Sequence, residues 1–158
     1  MIDWMSDVRF EDSFAVEGGN FRIAGNVSGK IKRILKGIGI NDNIIRRVAI
    51  VTYEAEINIV SYARKGEIRI SVTPDQVEVQ AVDEGPGIED IELAMQEGWS
   101  TATQQVREMG FGAGMGLSNM KKYSDEFEIT SVPGQGTTVK MHVFNLEKMI
   151  HPEYWLTI

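Results

Sequence analysis

The chain has 158 residues, 42% of them apolar and 25% charged, and 16 Lys and Arg stand against 23 Asp and Glu for a formal charge of −7. That is an ordered globular composition at a length suited to one domain with one core, without the basic surface that nonspecific nucleic-acid binding needs. Zero cysteines exclude disulfides and thiolate metal sites, the two histidines (His142 and His151) are too few for a histidine-rich metal centre, and no apolar run approaches the ~20 residues of a membrane span. The opening MIDWMSDVRFED is acidic where a signal peptide would be basic and then apolar, so the expectation is a cytoplasmic protein.

Residues 8–16, VRFEDSFAV, read as an edge strand, which Gly18-Gly19 break. From Asn20 to about Lys36, Phe21, Ala24, Val27, Ile31, Ile34 and Leu35 recur every three or four residues. This spacing predicts an amphipathic helix, weakened by Gly25 and Gly29 and ended by Gly37 and Gly39. Asn41-Asp42-Asn43 is N-cap material. Ile45, Val48, Thr52, Ala55, Ile59 and Tyr62 then form the longest periodic stripe, a helix running to about Ala63 whose other faces hold Glu54, Glu56 and Asn58.

After Lys65-Gly66 the period changes to two: Ile68, Ile70 and Val72, a Pro74-Asp75 turn, then Val77, Val79 and Ala81. This hairpin feeds directly into Asp83-Glu84-Gly85-Pro86-Gly87-Ile88. A short helix over Asp90–Gln96 follows, and residues 98–115, without a clean period, read as a mobile loop. Leu117, Met120 and Tyr123 predict another helix, and residues 127–131 and 137–143 a second hairpin around Pro133-Gly-Gln-Gly136. The order β, α, α, β, β, short α, loop, α, β, β implies an α+β fold in one domain: a two-layer α/β sandwich with helices on one face of a mostly antiparallel sheet.

Four elements of this order carry chemistry. Glu54 and Asn58, four apart on a helix, project from one face, where a carboxylate and an amide oxygen suit a hydrated Mg²⁺ or a water. Asp83 ends a buried strand beside Gly-Pro-Gly, where a carboxylate can accept a hydrogen bond from an exocyclic amine and the glycines admit close backbone approach. Gly110-Phe-Gly112-Ala-Gly114-Met-Gly116-Leu117 leads into a helix, so freed N–H groups and a helix N-terminus can cradle a phosphate. Gly134-Gln-Gly136-Thr137-Thr138 opens the last strand with hydroxyls for a base or an ordered water. Taken one at a time, these are also what a solvated helix face, a tight turn, a flexible loop and a hairpin look like.

Together, and in this order over residues 20–144, they resemble the GHKL (Bergerat-fold) ATP-binding family of sensor histidine kinases, gyrase, chaperone and mismatch-repair ATPases. The resemblance implies a histidine-kinase-like ATPase domain that binds ATP and Mg²⁺. It implies Glu54 as general base, Asn58 as the Mg²⁺ ligand and Asp83 as acceptor for the adenine amino group. Gly85 and Gly87 would shape the adenine pocket, and Gly112, Gly114 and Gly116, with Leu117 at the cradle's end, would wrap the phosphates under a lid of residues 98–115. Thr137 would support the adenine end. Glu56 is a competing acid, but two positions on it points about 200° away and has no asparagine four residues later. Arg107 in the lid is a candidate phosphate contact.

The length, with no phosphoacceptor histidine ahead of Asn58, is similar to the stand-alone anti-sigma-factor and switch serine kinases of bacteria. The runs Asn58–Gly66 and Glu97–Thr101 lie closer to the switch type. The implied activity is a protein serine/threonine kinase acting on a small antagonist-fold protein. The alternative is a nucleotide-gated protein that sequesters a sigma factor, for which an exposed apolar patch on the first long helix and a stable homodimer would speak. The tail 145–158, with Trp155 and Leu156, lies outside the resemblance and would cover the core or bind a partner.

Overall fold

Period-two alternation becomes sheet. The computed structural model describes residues 10–108 and 114–146. Its strands β1 (Phe10–Glu17), β2 (Lys65–Val72), β3 (Gln76–Glu84), β4 (Glu126–Val132) and β5 (Gly136–Phe144) form one antiparallel sheet in the order β1-β2-β3-β5-β4. The register sets Ile70 beside Val79 and Val79 beside Met141, so one face is a continuous apolar surface. The alternate residues, among them Glu67, Arg69, Glu78, Gln80 and Lys140, face the other way. β1 is an edge strand, as its sequence suggests.

Helices α1 (Asn26–Ile38), α2 (Asp42–Tyr62), α3 (Ile91–Ala94), α4 (Gln104–Glu108) and α5 (Gly116–Tyr123) complete the described chain. The core joins Ile31 and Leu35 of α1, Val48 and Ile59 of α2 and Met120 of α5 to the apolar face of the sheet. The result is the α+β two-layer arrangement. No helix among the described residues is long and apolar enough to cross a membrane.

The predicted first helix begins late. Phe21–Ile23 is a single 3-10 turn, and α1 starts only at Asn26 after Gly25, whose φ of 95° lies in the left-handed region. A glycine N-cap has no side chain to offer the first amides of the helix. Glu56 takes that role from α2: its carboxylate accepts from Val27 N and Ser28 N at 3.1 Å each, at 1% exposure. Gly37 lies inside α1, and Gly39 alone closes it.

The mobile-loop reading of 98–115 is corrected over Gln104–Glu108, which form α4; its first turn is capped by Thr103 Oγ1 accepting from Val106 N, and it buries Val106. The predicted helix over Asp90–Gln96 is shorter. Asp90 is its N-cap, accepting from Leu93 N at 3.0 Å, and the helical residues are Ile91–Ala94.

Candidate active site

Glu54, Asn58 and Ser61 are spaced four and three apart on α2, so they share one face. That face opens on a cavity of about 300 Å³ between α2, the end of β3, the segment 98–101 and the start of α5. Of the residues singled out in the sequence, Glu54, Asn58, Asp83, Gly87, Gly114, Gly116, Leu117 and Thr137 all line it. Gly85 is set back in the turn, where a Cβ would stand 3.0 Å from Asp83 Oδ1 and 3.1 Å from Ala63 Cα. Gly112 falls outside the described residues, as do Trp155, Leu156 and His151.

At one end of the cavity Asn119 of α5 donates from Nδ2 to Glu54 Oε1 at 3.3 Å. Gly116 packs directly over the acid–amide pair: a Cβ there would stand 3.0 Å from Asn58 Oδ1 and 3.3 Å from Glu54 Oε2. Met115, the N-cap of α5, makes no side-chain cap bond, so the first-turn amides beside the cavity are available to an anion. Glu56 does not compete with Glu54, because it is buried behind α2 as the cap of α1.

At the other end Asp83 Oδ1 accepts from Thr137 N at 3.3 Å. Burial pushes the Asp83 carboxyl above the usual aspartate range, and the Thr137 amide offsets part of that rise. Its neighbour Glu84 turns the opposite way, as strand period dictates, and pairs with Arg64 and Lys65 in solvent. The turn after Asp83 is stitched to the β4–β5 turn. Gly85 N donates to Gln135 O and Gly134 N to Pro86 O, while Ile88 N donates to Ser131 Oγ at 2.7 Å. Ser131 also bonds the Thr137 hydroxyl at 2.9 Å. Gly87, with φ of 71°, runs so close to β4 that a Cβ would stand 2.5 Å from Val132 O.

The segment over the cavity is tied at its ends, where Gly98 N donates to Gly114 O at 3.0 Å. Ser100 Oγ bonds Tyr62 Oη at 3.1 Å, joining this segment to α2. Arg107 turns onto the backbone, donating to Ser100 O and Ala102 O, and does not line the cavity. Asn119 and Ser131 carry no sequence signal, being single polar residues brought to the site by the fold, and Ser100 stands inside the run Glu97–Thr101 without being singled out there.

The stretch of sequence that builds this cavity matches a known family. Residues 36–147 match the family described as histidine kinase-, DNA gyrase B-, and HSP90-like ATPase. The chain belongs to that ATPase family. Relatives of this ATPase-family member include the anti-sigma F factor of Caldanaerobacter subterraneus subsp. tengcongensis, 38% identical over 89 residues, which are 56% of this chain and 54% of that protein. The serine/threonine-protein kinase RsbT of Bacillus subtilis is 34% identical over 113 residues, 69% of this chain and 79% of that protein. The anti-sigma F factor of Bacillus subtilis is 37% identical over 79 residues, 49% of this chain and 51% of that protein. The ATPase-family chain thus spans about half the length of the anti-sigma F factors it matches.

Proposed function

We propose that this chain is an ATP-dependent bacterial regulatory serine/threonine kinase that phosphorylates a small antagonist-fold protein in the cytoplasm. The observation that carries the reading is the single cavity joining Glu54 and Asn58 at one end to Asp83 and Thr137 at the other. A nucleotide needs both ends: an acceptor for the base amine and a phosphate end with an amide oxygen and uncapped helix amides. The kinase name of one relative and the anti-sigma F names of others support the class.

The donor set at the phosphate end suits a magnesium nucleotide, with the Asn58 amide oxygen on the cavity wall. Among the described residues no group of three or more His, Asp or Glu side chains could hold a metal by itself, so Asn58 would share the ion with the phosphates. Bound Mg²⁺ would neutralise phosphate charge during transfer. In that transfer the partner's serine oxygen forms a bond to the γ-phosphorus, the bond from γ-phosphorus to the bridging oxygen breaks, and ADP leaves. Glu54 accepts the serine proton. Asn119 fixes the direction of Glu54, Asp83 orients the base, and the α5 amides hold the phosphate oxygens.

The outer surface of α1 bears on the choice between transfer and sequestration. Residues 22–47 hold Arg22, Lys30, Lys32, Arg33, Lys36, Arg46 and Arg47 against Asp42 alone, a local +6 in a chain of −7. The first six are exposed and form no ion pair among the described residues. Ile38 is the large apolar side chain exposed on α1. Such a cationic face speeds encounter with an acidic protein and lets it go, as turnover requires, whereas a permanent complex is better held by an apolar face. Transfer of phosphate from γ-labelled ATP to a co-encoded antagonist-fold protein tests the reading. Stable binding of that protein without any transfer would favour sequestration.

A further inference from the structure

Helix α2 carries two buried hydroxyls with no hydrogen-bond partner among the described residues, Thr52 Oγ1 and Ser61 Oγ. Thr52 is fully enclosed, whereas Ser61 lines the cavity. A serine inside a helix ordinarily satisfies itself on a carbonyl of the preceding turn, and leaving the group unmet disfavours the folded state. Local rules broken at a cavity wall mark a group kept for a ligand.

The surroundings indicate which part of a ligand. Ser61 stands one turn past Asn58, away from Glu54. Two residues on, Ala63 touches the Asp83–Gly85 turn, its Cα 3.1 Å from where a Gly85 Cβ would be. Ser61 therefore belongs to the Asp83 end. The groups already there are committed: the Thr137 amide to Asp83 and the Thr137 hydroxyl to Ser131. An ionised Asp83 can only accept. An adenine edge presents a ring nitrogen acceptor beside its amine donor, so reading both takes a donor as well as the carboxylate, and the Ser61 hydroxyl is the uncommitted one among the described residues of this wall.

We propose that the Ser61 hydroxyl, whose oxygen is closed to water in the free protein, turns into the cavity on binding as a base-reading contact of the nucleotide site, donating to a ring nitrogen of the base directly or through one water. This rests on the nucleotide reading above. Titrating wild type, S61A, S61C and D83N with adenosine and with Mg²⁺-ATP tests it, alongside the melting temperature of each free protein. S61A should bind both ligands roughly three- to tenfold more weakly, by the same factor, while its free form melts no lower than wild type because an unmet hydroxyl has gone. S61C, of similar size but a poor donor, should lose a similar factor.

Wild-type affinity in S61A or S61C, or a loss confined to ATP with adenosine unaffected, would overturn the proposal. A fall in melting temperature without a fall in affinity would also overturn it, by making the hydroxyl structural. Failure of wild type to bind either ligand would instead remove the nucleotide reading, and unchanged affinity in D83N would remove its base-end assignment.

Discussion

Asn119 Nδ2 donates to Glu54 Oε1 at 3.3 Å, joining α5 to α2 across 65 positions of sequence. An acid that collects a proton must point at it, and this amide leaves Oε2 as the oxygen beside Gly116 and the cavity. E54Q should lower phosphate transfer by a hundredfold or more with ATP affinity largely kept. N119A should lower kcat by about tenfold at unchanged KM for ATP, since removing an orienting partner misplaces the base without deleting it. Rapid-quench transfer assays read both, and wild-type transfer by E54Q would remove its role.

Glu56 should matter chiefly to stability, and to chemistry only indirectly, by seating α2. It supplies the acceptors that Gly25 cannot, so E56A should cost about 2 kcal/mol in urea unfolding, while E56Q, which keeps one acceptor, should cost less. Nucleotide affinity of the folded fraction should match wild type.

Asp83 yields a pH dependence with a definite sign. Burial raises its carboxyl pKa in the free protein, yet the base amine needs the ionised form as acceptor. Adenosine affinity should be full above the raised value and fall as pH drops through it, starting above the ~3.9 of an exposed aspartate. Free-protein stability runs the other way. The native state binds this proton more readily than the unfolded chain, so Asp83 adds stability as pH falls and removes it as pH rises through the raised value. D83N should flatten both limbs in calorimetric titrations across pH.

Residues 83–97 hold six acids and no Lys or Arg, beside a site proposed for a polyanion. Bare ATP is repelled there, and binding must rely on Mg²⁺ and backbone amides. Chelating Mg²⁺ should therefore weaken ATP by at least tenfold while leaving adenosine unchanged. Equal ATP affinity in EDTA would contradict an Asn58-assisted metal.

The cationic face of α1 predicts a salt-sensitive encounter. Reversing charges in K30E/K32E/R33E/K36E should raise KM for the protein substrate about tenfold without changing ATP affinity. Wild-type KM should rise with added salt while the variant's barely moves. An unchanged KM would place the partner elsewhere.

The long elements were legible because their periods are strong. The stripe from Ile45 to Tyr62 and the alternations around Ile70, Val79 and Met141 are each set by one buried face. The start of α1 was not, because a 3-10 turn at Phe21–Ile23 keeps the same three-to-four spacing as a helix. Helix α4 has five residues, too few to show a period. At the site, Glu54, Asn58, Asp83 and the glycines stood out by type and order. Ser61, Asn119 and Ser131 did not, since a lone polar residue acquires meaning only from what the fold places beside it.

Glu54 and Glu56 sit on opposite sides of one helical rod. Turning α2 about its long axis would drag Glu56 off two buried amides of α1, so the bearing of Glu54 is locked from behind, by a contact no ligand reaches. With the apolar packing of Ile31 and Leu35 beside it, that pin makes α1 and α2 one rigid pair, so a wall of the site is set by a helix that does not line it.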